Sequence, residues 1–186
     1  VGGIKYADLD DNGIINEKDQ TWIYDPVPAF SYGLNIDLTF KGFDLTMFWQ
    51  GVAGVDVYNN QKFQTDFWSC TDAGSNKGSR LLGAWTTGNT SSTIPALTTN
   101  NTADEGRTSS YFVENGSYLK LRTLQLGYNL PASLLKKLLM SKARVYVSGQ
   151  NLLTIKSSGL TCSDPENPNW NYPLPTSVSF GLQIGF

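Results

Sequence analysis

Hydrophobic and polar residues alternate most strictly over the last ten positions. Val178, Phe180, Leu182, Ile184 and Phe186 fall on one face of an extended strand, and Ser177, Ser179, Gly181, Gln183 and Gly185 on the other. The design recurs: Ser31-Tyr32-Gly33-Leu34-Asn35-Ile36 and Ser179-Phe180-Gly181-Leu182-Gln183-Ile184 share one order of residue kinds, and Leu124-Gln125-Leu126-Gly127-Tyr128 echoes it. A strand of about ten residues rises roughly 33 Å and, tilted by about 45°, covers the hydrocarbon thickness of an outer membrane. One sheet of a soluble sandwich shows similar alternation, so the last stretch alone leaves both architectures open.

The clearest hairpin comes next. Phe30, Tyr32, Leu34, Ile36, Leu38 and Phe40 form one face, and after a tight Lys41-Gly42 turn Phe43, Leu45, Met47 and Trp49 form the matching one. The opposite face carries Asn35, Asp37 and Thr39 with Asp44, Thr46 and Gln50, so lipid against the apolar side would put both carboxylates in a wet lumen. In the strand 118–130, Leu124, Leu126, Tyr128 and Leu130 are in phase, but Lys120 and Arg122 have the same parity. A bulge near Thr123, or a rise above the membrane, accounts for the slip. Ser133 to Met140 is expected to be a short helix capped by Ser133, with Leu134, Leu135, Leu138 and Leu139 on one side and Lys136 and Lys137 as its solvated face.

Five strands are thus predicted, 30–40, 43–50, 118–130, 143–153 and 177–186, the fourth with Val145 and Val147 on one face. The connections after Phe40 and Leu130 are short, whereas those after Gln50 and Leu153 are long, the alternation of periplasmic turns and extracellular loops. The expected fold is all-β: an antiparallel transmembrane β-barrel segment, the last about five strands of a large barrel, with long extracellular loops. If the last strand ends inside, the odd count starts the first strand outside. Residues 1–29 then form an extracellular EF-hand-like calcium loop and a connection marked by Pro26 and Pro28, and residues 30–186 form the barrel strands and their loops.

The loop is the sharpest motif. Asp8-Leu9-Asp10-Asp11-Asn12-Gly13-Ile14-Ile15-Asn16-Glu17-Lys18-Asp19 places oxygens at positions 1, 3 and 5, glycine at 6, a hydrophobe at 8 and an acid at 12. A hard divalent ion wants six to eight oxygens at about 2.3–2.6 Å, and Gly13 permits the turn that folds Asp8, Asp10 and Asn12 onto one centre. The Ile14 carbonyl and Asp19 close the shell, with Asn16 acting through a water. Asp19 is shorter than the usual glutamate and no helix precedes the loop, so the expected role of calcium is structural. An Asp/Asn/Gly-rich turn held by side chain to backbone bonds is the plainer alternative.

From about Gly51 to Ser117 the chain is expected to be irregular, rich in Asn, Thr, Ser and Gly, with Tyr58, Phe63, Phe67, Trp68 and Trp85 among them. Aromatic faces among hydroxyls and amides suit sugar or peptide binding, which makes Trp68 and Trp85 the candidate substrate contacts. For most of these rings, pinning down a long loop is the simpler role.

Composition narrows the function. Among 186 residues there are 18 glycines and 23 aromatics, with 16% charged residues, a profile of turn-rich β structure. No apolar run is long enough for a spanning helix, which leaves barrels untouched. A net charge of -2 and no Lys/Arg cluster argue against nucleic acid. The absence of histidine removes Ser-His-Asp and Cys-His catalysis and most zinc sites. Cys70 and Cys162 could pair in an oxidising compartment or stay as thiols. Val1-Gly2-Gly3 carries no signal peptide, so a mature, processed or truncated piece is expected.

The order of these pieces resembles the carboxy-terminal part of a SusC/RagA-family TonB-dependent outer-membrane transporter. It runs from Ile4-Lys5-Tyr6-Ala7-Asp8-Leu9-Asp10-Asp11-Asn12-Gly13 through Tyr32-Gly33-Leu34-Asn35, Lys41-Gly42-Phe43-Asp44-Leu45 and Phe48-Trp49-Gln50-Gly51-Val52-Ala53-Gly54. Phe112-Val113-Glu114-Asn115-Gly116-Ser117-Tyr118-Leu119-Lys120-Leu121-Arg122, Leu124-Gln125-Leu126-Gly127-Tyr128, Val145-Tyr146-Val147-Ser148-Gly149-Gln150-Asn151-Leu152-Leu153-Thr154 and the final Phe186 complete it. The resemblance implies an outer-membrane barrel of about 22 strands, a SusD-like surface lipoprotein as lid, energy from the TonB system through an amino-terminal region missing here, and import of an oligosaccharide or oligopeptide. Phe186 resembles the signal read by the barrel-assembly machinery. Five strands cannot close a barrel, since open edges are not tolerated in lipid.

The expected function is therefore nutrient transport. The alternative is a soluble, secreted, calcium-stabilised β-sandwich that binds carbohydrate, in which Asn89-Thr90-Ser91, Asn100-Asn101-Thr102 and Asn115-Gly116-Ser117 would be glycosylation acceptors in a eukaryotic setting. An enzyme is not expected: the adjacent carboxylates Asp104 and Glu105 could serve glycoside hydrolysis, but such neighbours in a polar loop are usually just solvated.

Overall fold

A computed structural model describes residues 2–67, 76–101, 104–169 and 171–186. Its principal element is a five-stranded antiparallel sheet in the order β1-β2-β5-β6-β7. The strands are β1 (Phe30–Phe40), β2 (Phe43–Ala53), β5 (Tyr118–Asn129), β6 (Lys142–Lys156) and β7 (Ser177–Gly185). All five predicted strands are present; β2 and β6 run three residues beyond the predicted ends. Two short strands, β3 (Asp56–Tyr58) and β4 (Val113–Asn115), pair separately.

The register explains why the sheet has two unlike faces. Lys41 and Gly42 both take positive φ, 47° and 87°, so Phe40 pairs with Phe43 across a two-residue turn. Leu34 then faces Trp49 and Ile36 faces Met47, placing the apolar sets of β1 and β2 on one side. Directly opposite residues share a face, so the set passes to β5 through Met47 and Leu124, to β6 through Leu126 and Val147, and to β7 through Val147 and Phe180.

The phase slip expected in β5 is a bulge at Arg122. Leu121 pairs with Trp49 and Leu153, Thr123 pairs with Phe48 and Gln150, and Arg122 has no place in either ladder. On β6 the irregularity puts Asn151 at φ 52°. The extra residue keeps Leu119 and Leu121 on the apolar side with Leu124 and Leu126, while Arg122 Nε donates to Gln50 Oε1 on the polar side at 2.9 Å.

The apolar face is uncovered. Leu34 is 55% exposed and Phe180 85% exposed, as are most of their neighbours on that side. The opposite face is hydrogen-bonded. Arg144 holds Asp44 in a bidentate contact through one guanidinium edge, Nε to Oδ1 at 3.0 Å and Nη2 to Oδ2, and Asn129 Nδ2 donates to Asp44 Oδ1 at 3.0 Å. Gly127, on the strand between them, makes room: a Cβ there would lie 2.5 Å from Arg144 Nη2 and from Asp44 Oδ2. Gly181 is likewise roofed by the Tyr146 ring facing it, and Gly51 by Tyr32.

Two expectations need correction. The helix α2 spans Ala132–Lys137 with Pro131 as its N-cap, not a longer helix capped by Ser133, and no side chain caps it. The preceding proline fixes φ for the entry, leaving the Ser133 hydroxyl no capping role. It ends in a Schellman motif: Met140 N–H donates to Leu135 O, Leu139 N–H to Lys136 O, and Leu139 takes the left-handed conformation at φ 54°. Secondly, 51–117 is not one irregular stretch. It contains the end of β2, β3, a helix α1 (Asn60–Asp66), 3-10 turns at Ser79–Gly83 and Ser110–Phe112, and β4.

The chain packs as two compact units. One comprises Val27–Val55, Asn115–Leu160 and Tyr172–Phe186, the sheet and its short turns; the other comprises Val1–Pro26, Asp56–Glu114 and Thr161–Asn171. The sequence division at residue 29 follows chain order, whereas packing gathers the long connections with the amino-terminal segment. Phe112, fully buried, centres the second unit, with Tyr58, Phe63, Phe67 and Tyr111 around its ring.

If Gly127 is the space that the Asp44–Arg144 pair occupies, Gly127→Val in the full-length protein lowers barrel stability by about 1–3 kcal/mol. Gly159→Ala, whose Cβ would meet nothing within 4 Å, leaves it unchanged. The temperature at which the folded band disappears on semi-native gels reads both; equal effects would remove the role assigned to Gly127.

Candidate functional site

The acidic loop at 8–19 is folded by its own side chains. Asp8 accepts the Asn12 N–H at 3.2 Å on Oδ1 and the Gly13 N–H at 2.6 Å on Oδ2, closing the turn over Asp11 and Gly13, which take φ 55° and 79°. Asn12 Oδ1 accepts the Ile14 N–H at 2.8 Å, and Asn12 Nδ2 donates to Asp10 Oδ2 at 2.7 Å. The Ile14 carbonyl accepts from Asn16 Nδ2 at 3.0 Å.

Asp19 comes back onto the loop because a 3-10 turn at Glu17–Asp19 starts there. Asn16 caps it, its Oδ1 accepting the Lys18 N–H at 2.9 Å, and Asp19 Oδ2 returns the bond from the Asn16 N–H at 2.7 Å. Asp19 Oδ1 accepts the Leu9 N–H at 2.8 Å. The Asn16 N–H first and the Leu9 N–H second hold this carboxyl below the usual aspartate range, outweighing the small opposing effect of burial.

One carboxylate oxygen each from Asp8, Asp10 and Asp19 lies within 4.8 Å of the other two. Ligands about 2.3–2.6 Å from a common centre can be no farther apart than about 5 Å. Three carboxylates at that spacing repel one another and suit a hard divalent cation. Of the five predicted ligands, the three acids are thus brought together, and Asn12 and Ile14 are tied into the same loop by hydrogen bonds.

Trp85 is half-buried in the same unit. Its ring lies against Gly2, whose φ of 86° and missing side chain allow the approach, and the Trp85 backbone N–H donates to Ile94 O at 2.9 Å. With Gly2, Ile4, Ile94, Pro95 and Tyr111 it lines a cleft of about 350 Å³. Trp68 lies outside the described residues, as does Cys70. Cys162 is buried, and its thiol donates to Asp164 O at 3.4 Å.

A buried ionic network in this unit has no counterpart in the sequence pattern. Lys62 Nζ meets Glu114 Oε1 at 2.9 Å and donates to Tyr111 O at 2.6 Å. Glu114 also accepts from Asn59 Nδ2 at 2.8 Å and from the Thr161 N–H and hydroxyl at 2.9 and 2.7 Å. Tyr111 donates to Asp66 Oδ2 at 2.7 Å, and Arg80 approaches the same oxygen at 3.3 Å. The network ties α1, β4 and the 161 segment together. Burial raises the Glu114 carboxyl, but Lys62 and then Thr161 and Asn59 more than reverse this, so it sits below the usual glutamate range. Burial, reinforced by Asp66, pushes the Tyr111 hydroxyl far up. Each of these groups is engaged by its partner.

No family model matches the chain. It is 38% identical over 185 residues to TonB-dependent receptor P3 of Formosa agariphila, covering 99% of this chain and 17% of the relative. It is 30% identical over 205 residues to TonB-dependent receptor P26 of the same organism, covering all of this chain and 20% of the relative. Among solved structures, the RagAB peptide transporter matches 93% of this chain with a TM-score of 0.75 at 27% identity. The RagAB peptide importer in its closed-closed state matches 96%, with a TM-score of 0.75 at 28% identity. The chain spans about a fifth of the length of the proteins it matches.

Removing one partner of a buried pair strands the other charge. Glu114→Gln should cost the loop unit about 3–5 kcal/mol, read as faster hydrogen exchange at residues 56–66 and 110–115. Since the folded Glu114 carboxyl is lowered, its stabilisation is complete above the unfolded value of 4.5 and is lost as pH falls through the lower folded value. Protection in this unit should therefore fade only below about pH 4.5, and fade less in the glutamine variant; an identical acid profile in both would show that Glu114 is not its source.

Proposed function

We propose that this chain, related over its whole length to TonB-dependent receptors and by structure to RagAB, whose RagA component is SusC-like, supplies barrel wall and outer loops of a nutrient importer in a bacterial outer membrane. The observation that carries this is the continuous apolar face of five paired strands, left uncovered while the other face is hydrogen-bonded. Lipid needs no second sheet to cover such a face; water does. Among the described residues the other sheet has just two three-residue strands, which disfavours the sandwich alternative.

The cargo is an oligopeptide or a glycan too large for passive pores. The peptide is favoured by the likeness to RagAB, a peptide transporter and importer. A SusD-like surface lipoprotein closes the outer mouth, and the TonB system acts through parts of the receptor outside this chain. Trp85, at a cleft lined by both apolar residues and the hydroxyls of Ser92 and Thr93, is a candidate to offer a ligand a ring, and Trp68 remains its companion candidate. This function involves no catalytic step.

The loop at 8–19 binds calcium through Asp8, Asp10, Asn12, the Ile14 carbonyl and Asp19, in a structural role on the outer side. Support comes from the ligand spacing in the sequence and from the convergence of three carboxylates. For Asn12 to present its oxygen to the ion, its side chain must give up the hydrogen bonds it makes to Asp10 and to the Ile14 N–H.

Two measurements test the proposal. The native protein extracted from its membrane should need detergent, run as a heat-modifiable species on the order of 100 kDa and retain a lipoprotein; a water-soluble species near the 20.4 kDa of this chain would sink it. Calcium should bind the full-length protein with Kd about 0.1–1 mM, in the range of extracellular modules. Asp8→Asn with Asp10→Asn should abolish that binding and open residues 8–19 to protease without lowering strand content. Loss of strand signal on chelation would overturn the structural assignment, and no calcium heat in the wild type would remove the site.

A further inference from the structure

We propose that the short-turn end of the five-stranded sheet binds the headgroups of anionic phospholipids through Lys41, Lys136, Lys137 and Lys142. The inference rests on the barrel-wall reading above, which places this end at the inner leaflet.

The level of the membrane boundary is marked by aromatics. Towards the turns the apolar face ends in Phe40, Phe43 and Tyr128; the Phe43 and Tyr128 rings are 4.6 Å apart between centroids. A girdle of this kind sits where hydrocarbon gives way to headgroups. Lys41 Nζ lies over the Phe40 ring, 5.2 Å from its centre, so the ammonium sits at the level of the girdle itself.

Beyond that girdle the unpaired side-chain charges among the described residues are of one sign. Lys41 lies in the β1–β2 turn, Lys136 and Lys137 in α2, and Lys142 at the start of β6, all exposed. The two turns are neighbours, because Asn129 N–H donates to Gly42 O at 2.8 Å. Among the described residues none of the four lysines forms an ion pair, and Asp44, the single acidic side chain within 40–44 and 128–144, is held by Arg144. Two separated sequence stretches thus supply one cationic rim that the sequence shows only as scattered lysines.

Apolar side chains accompany these cations. Leu134, Leu138 and Leu139 are exposed, Leu139 at 87%, and the Schellman ending fixes Leu139 in place. Leucines beside lysines suit the boundary between acyl chains and phosphates, where the one inserts and the other pairs. The lysines are exposed and spread over two turns and a strand end, which fits a row of lipid headgroups better than one dissolved phosphate. The rim is continuous with the face that meets lipid.

The test uses the full-length protein in nanodiscs of phosphatidylcholine containing a minority of phosphatidylglycerol, with native mass spectrometry of the lipids retained after mild detergent exchange. Each lysine near an anionic surface contributes roughly a fivefold preference. K136Q/K137Q/K142Q should therefore lose at least about tenfold of the wild-type enrichment in phosphatidylglycerol, whereas K5Q/K18Q should keep it. Equal enrichment in the triple variant, or none in the wild type, overturns the proposal. So does displacement of the lipid by inorganic phosphate beyond that by chloride at the same ionic strength, which would indicate a free-anion site. Failure of both proteins to insert as heat-modifiable barrels would instead bring down the barrel reading and this inference with it, so the two failures are told apart.

Discussion

Everything in the sheet depends on keeping one face apolar across five strands whose side chains change face at every residue. A slip of one position would turn all the leucines of a strand toward the polar side. The chain meets this constraint with a two-residue turn between β1 and β2 and with the bulge at Arg122. Without that extra residue, Leu119 and Leu121 could not share a face with Leu124 and Leu126. The bulge also aims a guanidinium at Gln50 and Asn151 on the polar side, so one irregularity serves both faces.

The strands and their phase were legible in the sequence because alternation is a local signal. The break in parity between Lys120 and Leu124 even located the bulge to within a residue. Long-range pairings were not legible. Nothing near Asp44 announces Arg144, a hundred residues away, and nothing near Lys62 announces Glu114. Periodicity also could not find the core of the loop unit, since Phe67, Phe112 and Tyr111 sit in short elements with no repeat to expose them. The α2 helix was placed nearly correctly but misread at its start, because a cap by Ser133 and an entry through Pro131 leave similar traces in sequence. At the acidic loop, the template gave the ligand types, while the inward return of Asp19 became visible only with the Asn16 cap and the Leu9 N–H.

The two units solve opposite problems. The sheet leaves its apolar surface outward and hydrogen-bonds its polar side, whereas the loop unit buries its aromatics together with lysine, aspartate and glutamate. Such burial is tolerable where a charge is matched at close range: Glu114 alone engages Lys62, Asn59 and Thr161. A long connection between strands is thereby given a defined shape, which an outer loop needs if its surface is to recognise anything.

The glycine beneath the Asp44–Arg144 bridge has a consequence for how this wall can diverge. Positions 44, 127 and 144 lie on three strands, yet the space for the bridge exists only while 127 lacks a side chain. A lineage that acquires a side chain at 127 must shorten or discard the bridge, and one that loses the bridge is released to fill 127. The three sites are therefore inherited as a single character, and in an alignment of relatives they would covary as a triplet.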